Sequence, residues 1–246
     1  MENLSNDIGE KLKNVEYNYR VIENNINEAA LKSGRKREDI VFLAATKTVE
    51  TAVINHAVSC GLKYIGENRV QELLSKYDGY DLANCELQFI GHLQTNKVRQ
   101  IIDKVSLIQS VDSLKLANEI ARQANIHNRE MDILVEVNIG AEDNKSGVMP
   151  DMLEELLYGI REIKGVNVKG LMAIPPICEN KSQICKYFEN MYRLFIDISE
   201  KKIDNIFMDC LSMGMSDDYE QAILCGANMV RVGSALFGKR IYPNQN

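Results

Sequence analysis

This chain has no tryptophan, no long hydrophobic run, no surplus of positive charge and no closely spaced cysteines, and each absence removes a class of protein. No apolar stretch approaches the roughly 18 residues a bilayer span requires, and residues 1–10 are polar and acidic, unlike a secretory leader. Lys and Arg number 29 against 35 Asp and Glu, a formal net charge of −6 with no basic stripe to offset it. Neither nucleic acid nor a membrane is therefore an expected partner. The basic cluster Lys32, Arg35, Lys36 and Arg37 follows a helix end and reads as a solvated loop. Six cysteines (Cys60, Cys85, Cys178, Cys185, Cys210, Cys225) form no CxxC pair and no zinc spacing, and Cys210 reads as a small hydrophobe within an apolar strand. With three histidines far apart in sequence, the expectation is a reduced, cytoplasmic protein without a metal centre. Linkers rich in Pro or Gly, low-complexity segments and charge blocks are missing too. Residues 1–246 thus read as one domain, with an N-terminal helix over 1–34 and a barrel over 40–238.

What the chain does contain is periodicity. Ile8, Leu12, Val15, Tyr19, Ile22 and Ile26 recur at the alternating steps of three and four that place them on one helical face, and Gly34 follows as a stop. Short apolar runs then alternate with amphipathic segments. Strands are expected at 40–46, 62–65, 87–90, 107–111, 133–138, 166–173, 206–212 and 229–233, and helices at 49–60, 70–77, 95–102, 114–124, 151–160 and 183–200. Eight strands separated by helices imply a parallel sheet, and α/β barrels commonly run to this length. The expected fold class is α/β, a single-domain (β/α)8 TIM barrel with an extra N-terminal helix packed outside it or capping its base. An open doubly wound sheet is the alternative, and the absence of GxGxxG after the first strand tilts the choice to the barrel.

Barrel chemistry sits in the loops at the C-terminal strand ends. Lys47 closes the first strand. An ammonium at the mouth of a core loses hydration, which favours the neutral, nucleophilic amine and suits a Schiff base with a carbonyl cofactor such as pyridoxal phosphate (PLP). A strand-end lysine snorkelling into water is the plainer alternative. At the last two strand ends, Ser212 offers a hydroxyl, Gly214 permits close backbone approach, and Gly233-Ser234 opens a short helix whose free N–H groups suit a phosphate. An ordinary turn with Asp217 as helix cap competes for the first of these loops. Arg231 shares a strand face with Met229 and Gly233 and so points inside the barrel, towards Glu136 or towards a cofactor's pyridine nitrogen, with Lys169 as a rival partner for Glu136. His92, at another strand end, is either a base or ring-stacking group or a histidine satisfied by hydrogen bonds.

Several segments taken in order resemble the YggS/PROSC family of pyridoxal-phosphate homeostasis proteins. They are Ala44-Ala45-Thr46-Lys47, Gly66-Glu67-Asn68-Arg69-Val70-Gln71-Glu72, Phe89-Ile90-Gly91-His92-Leu93-Gln94-Thr95-Asn96-Lys97, Val135-Glu136-Val137-Asn138-Ile139, Lys145-Ser146-Gly147, Leu211-Ser212-Met213-Gly214-Met215-Ser216-Asp217-Asp218 and Val230-Arg231-Val232-Gly233-Ser234-Ala235-Leu236-Phe237-Gly238. The resemblance implies a barrel like the N-terminal domain of alanine racemases. PLP would be held as a Schiff base on Lys47, its phosphate by Ser212, Gly233 and Ser234, its pyridine nitrogen opposite Arg231, with Asn68 among the surroundings and no residue assigned a catalytic role. It implies a cofactor carrier in PLP homeostasis rather than a robust catalyst, with amino acids and apo PLP-dependent enzymes as further partners. Alanine racemases draw a second base, a tyrosine, from a C-terminal domain of the partner subunit. This sequence reaches Asn246 soon after the last strand, so a monomeric carrier is expected over an enzyme. The alternatives are a PLP-dependent amino-acid racemase using Lys47 with a residue such as His92, and a barrel for another phosphorylated metabolite with Lys47 as a charge partner.

Overall fold

The computed structural model describes residues 2–142, 144–178 and 180–238, with side chains from residue 8 onward. Met1 and residues 239–246, the two ends of the 1–246 domain reading, lie outside the described residues. Eight parallel strands close into a barrel in chain order: β1 (Val41–Ala45), β2 (Tyr64–Glu67), β3 (Glu86–Phe89), β4 (Leu107–Val111), β5 (Met131–Val137), β6 (Val166–Ala173), β7 (Ile206–Ser212) and β8 (Met229–Val232). The ring shuts where β8 pairs with β1, with Leu43 opposite Arg231 and Ala44 opposite Val232. The helices are α1 (Glu2–Lys32), α2 (Thr51–Ser59), α3 (Val70–Lys76), α4 (Leu114–Ile126), α5 (Leu153–Ile160), α6 (Lys181–Lys201), α7 (Tyr219–Leu224) and α8 (Ser234–Phe237). The fold is the expected (β/α)8 barrel with an N-terminal helix.

Each helix forms because it has one apolar face to bury. Helix α4 buries Leu116, Ala117, Ile120, Ala121 and Ala124, and Ser113 caps its start by accepting from the Leu116 N–H. Helix α6 buries Ile184, Phe188, Met191 and Ile198, with Asn180 Oδ1 accepting from the Gln183 N–H at 3.0 Å. The segment expected as a helix at 95–102 is instead a 3-10 helix, Thr95–Gln100. The tighter winding rises further per residue, and it still buries Val98 and delivers Ile101 and Ile102 to the core. Helix α1 ends at Lys32, and Gly34 takes φ +74 beyond it. It packs outside the barrel against α2, α7 and α8 through Val15, Ile22, Ile26, Ala29 and Ala30. Its Lys11 and Val15 reach a cavity at the β1 and β8 ends, so it serves the mouth of the barrel rather than its base. Among the described residues no helix is long and apolar enough to cross a membrane.

The strand alternation yields two cores. Phe42, Ala44, Val230 and Val232 face outward into a continuous shell beneath the helices, whereas Leu43 and Met229 face inward. The inner level consists of Leu43, Ile90, Leu107, Leu134, Met172 and Met229.

Candidate functional site

At the end of β1, Thr46 is buried, Lys47 is half-buried at the mouth, and Thr48 takes the left-handed φ of +65. At the end of β8, the chain passes through Gly233 into α8. A Cβ on Gly233 would lie 3.1 Å from the Ala45 carbonyl oxygen, so the two strand ends approach with almost no room for a side chain. The N–H groups of Gly233 and Ala235 both donate to Ser216 Oγ at 3.1 Å. Two backbone donors converging on one oxygen form a cradle of the kind that suits an oxyanion. Ser216 arrives there because Gly214, at φ +91, turns the chain after β7, and Gly214 O accepts from the Arg231 N–H at 3.0 Å. The cap at this turn is Asp218 rather than Asp217: its Oδ1 accepts from the Met215 N–H at 2.6 Å, which holds the turn that presents Ser216.

A cavity of about 230 Å³, near the small end for ligand sites, spans these ends. It is lined by Lys47, Gly233 and Ser234, by Thr48 and Glu50 after β1, and by Lys11 and Val15 of α1. Lys11 Nζ stands 3.8 Å from Glu50 Oε1. Three residues expected at the site thus share one cavity.

The other three are placed differently. Ser212 is buried inside the barrel, where its Oγ accepts from the Arg231 guanidinium at 2.5 Å and donates to Gln109 Oε1 at 2.7 Å. The hydroxyl that reaches the β8–α8 turn from the end of β7 is that of Ser216. Arg231 does point inside, and it also donates to the Ala173 carbonyl at 2.9 Å. Burial lowers its pKa from 12.5 to about 10, with Glu136 and Asp218 opposing the shift, so the cation persists at neutral pH. Glu136 acts on Arg231 through space, while its own Oε1 accepts from Ser146 at 2.8 Å and its buried Oε2 has no hydrogen-bond partner among the described residues. Burial pushes the Glu136 carboxyl upward, against the Ser146 hydrogen bond. Lys169 is no rival for Glu136: it lies 4.0 Å from Asp132 and over the Phe207 ring. Asn68 is half-buried beyond β2, its Oδ1 shut from solvent without a hydrogen-bond partner among the described residues. His92 is exposed and lines a separate groove with Asp112 and Ser113.

Sequence reasoning missed Ser216, Lys11 and a charged group behind Lys47. The first was legible only as a second serine in Ser212-Met213-Gly214-Met215-Ser216, and Lys11 sits on a helix whose role the barrel pattern does not reveal. The group behind Lys47 is Glu67, fully buried, with Lys76 Nζ 3.0 Å from its Oε1. Among the described residues no group of three or more His, Cys, Asp or Glu side chains could hold a metal ion.

This barrel, with Lys47 at its first strand end and the Gly233-Ser234 turn at its eighth, is matched over most of its length by a family model. The model of that family, described as alanine racemase, N-terminal domain, matches residues 12–241, and the chain belongs to it. Within that family it sits among the pyridoxal phosphate homeostasis proteins. It is 44% identical over 223 residues to the protein of that name from Aquifex aeolicus, covering 91% of this chain and 96% of the relative. The solved structure of PipY from Synechococcus elongatus with PLP bound superposes with a TM-score of 0.75 at 28% identity, over 87% of this chain and 100% of that one. Alanine racemase from Corynebacterium glutamicum, at 14% identity and a TM-score of 0.69, shares the fold over 96% of this chain and 63% of its own.

Proposed function

We propose that this protein binds pyridoxal 5′-phosphate and keeps it as a reversible Schiff base on Lys47, storing or delivering it in PLP homeostasis without robust turnover. One observation carries this: the Lys47 amine and the Gly233-Ser234 turn line the same cavity. The residues fit the group. The aldehyde meets an amine at a half-buried mouth, and the phosphate meets the Gly233 and Ala235 N–H groups, which already converge on one oxygen. Arg231, held by Ser212 and the Ala173 carbonyl, supplies the fixed cation to set opposite a ring nitrogen, which would keep that nitrogen unprotonated. In this reading Ser212 serves the cofactor by holding Arg231, Ser216 joins Gly233 and Ser234 at the phosphate, and the Asn68 carbonyl oxygen accepts a donor from the ligand. When bound, the cofactor would supply an aldehyde with which the Lys47 amine would form a C=N bond with loss of water, a bond that water or another amine would reverse.

Carriage is favoured over the alternative of a racemase using Lys47 with His92, because His92 lies outside the cavity that Lys47 lines. A racemase needs bases on two sides of a substrate carbon. The ionisable side chains among the described lining residues are Lys11, Lys47 and Glu50, and His92 lines another groove. The Aquifex aeolicus relative is likewise named for homeostasis. We take amines, amino acids and apo PLP-dependent enzymes among them, as acceptors on release. We take the cytoplasm as the compartment and a monomer as the working form. Helix α1 and the barrel act as one unit, since Lys11 and Val15 of α1 wall the cavity.

The test is the visible absorbance of the purified protein with PLP, then borohydride reduction and peptide mapping by mass spectrometry. A pyridoxyl adduct on Lys47, absent from Lys47→Ala, is expected. A colourless protein that stays unlabelled would sink the proposal and leave a barrel for some other phosphorylated metabolite.

A further inference from the structure

Behind the cavity, on the far side of β1, a polar cluster grips the chain on both sides of Lys47. The peptide carbonyl before Lys47, that of Thr46, accepts from Lys76 Nζ at 3.1 Å. The peptide N–H after it, that of Thr48, donates to Glu72 Oε1. Lys76 Nζ joins the two grips, lying 2.6 Å from Glu72 Oε1 and 3.0 Å from Glu67 Oε1. Glu67 Oε1 also accepts from the Thr46 hydroxyl at 2.7 Å and from Tyr80 at 2.8 Å. Burial and the neighbouring Glu67 raise the Tyr80 pKa, which keeps that phenol a donor. Both peptide groups that set the direction of the Lys47 side chain are therefore tied to α3 and β2.

Such a cluster is a costly way to add stability. Glu67 is fully buried, and the Lys76 and Glu72 side chains are only 13% and 18% exposed. Desolvating charges can offset or exceed what their pairing returns, so stability alone does not account for the cluster. Thr48 shows a geometry being imposed. A β-branched residue at φ +65 is held in a conformation it disfavours, and the Glu72 carboxylate is bonded to its N–H.

Resting on the cofactor reading above, we infer that Glu72 and Lys76, braced by Glu67, are positioning residues that aim Lys47 for covalent capture of an aldehyde ligand. They touch neither the cavity nor the ligand; they fix the backbone from which the amine projects.

Wild type, Glu72→Ala, Glu72→Gln and Lys76→Met of the full chain are titrated with PLP, and the fraction trapped on Lys47 by borohydride is measured. In parallel, the same proteins are titrated with pyridoxamine 5′-phosphate, which has the phosphate and ring but no aldehyde. Glu72→Ala is expected to lower trapping by about tenfold or more at equal PLP while pyridoxamine phosphate affinity stays within about twofold, since small misplacements cost covalent steps far more than binding. Glu72→Gln retains an acceptor for the Thr48 N–H and is expected to recover much of the trapping. Unchanged trapping in Glu72→Ala and Lys76→Met overturns the inference. So does an equal loss of both ligands, which would mark the cluster as mere scaffolding. If Glu72→Ala does not fold, Lys76→Met decides on the same criteria. Failure of the wild type to be trapped at all would instead sink the cofactor reading, and this inference with it.

Discussion

The barrel wall separates two interiors built by different rules. Outside it, between strands and helices, the packing is continuous and apolar, with Ile54, Phe89 and Phe188 fully buried. Inside it, an apolar level is followed, two residues further along the strands, by a polar one: Gln109 after Leu107, Glu136 after Leu134, Arg231 after Met229. Gln88 and Ser212 complete that level, joined through Gln109, whose Nε2 donates to Gln88 at 2.6 Å. The shell holds the fold together by area removed from water. The inner level gains little that way, and its hydrogen bonds hold Arg231 in one pose. Stability and specificity are thus assigned to opposite faces of the same strands.

That division predicts unequal losses. Phe188→Ala, in the shell, is expected to cost about 3–5 kcal/mol in urea unfolding, while the folded fraction still captures PLP on Lys47. Arg231→Met should cost less, about 1–3 kcal/mol, because it removes donors from Ser212 and Ala173 but puts an apolar side chain in place of a buried charge. Its larger effect should be weakened PLP binding, read by absorbance titration. Equal stability losses for the two variants would break the comparison. The smallest effect sharpens it. Burial raises the Glu136 carboxyl above 4.5, so the folded protein keeps a proton that the unfolded chain gives up. Stability from this group is full below the unfolded value and is lost as pH rises through the raised one. Glu136→Gln should flatten the decline in urea midpoint above pH 4.5 relative to wild type.

The same division explains how much of the molecule was legible in its sequence. Shell-facing residues announce themselves, and three strands, at 107–111, 166–173 and 206–212, fall at the ranges their apolar runs suggest. The barrel, Lys47 at a strand end and the inward Arg231 followed from that pattern. Ser212 is harder, because a hydroxyl at a strand end reads the same whether it faces a ligand or a buried guanidinium, and only the register, which sets it opposite Met229, decides. Ser216 and Lys11 reach the site through a turn and a helix distant in sequence, and no local pattern encodes such meetings. The grip on Thr46 and Thr48 was hidden for a similar reason: Glu72 and Lys76 sit one helical turn apart, the spacing of an ordinary exposed pair, and nothing local says that this pair is buried.

The cavity straddles the seam where the first and last strands meet, and Asn18 of α1 donates to the Leu236 carbonyl of α8 across a sequence separation of 218 residues. Synthesis delivers Lys47 well before the Gly233-Ser234 turn. A chain folded only as far as β7 would present Lys47 without the Gly233-Ser234 wall of that cavity. The two halves of the cavity therefore come together only once β8 has closed the ring.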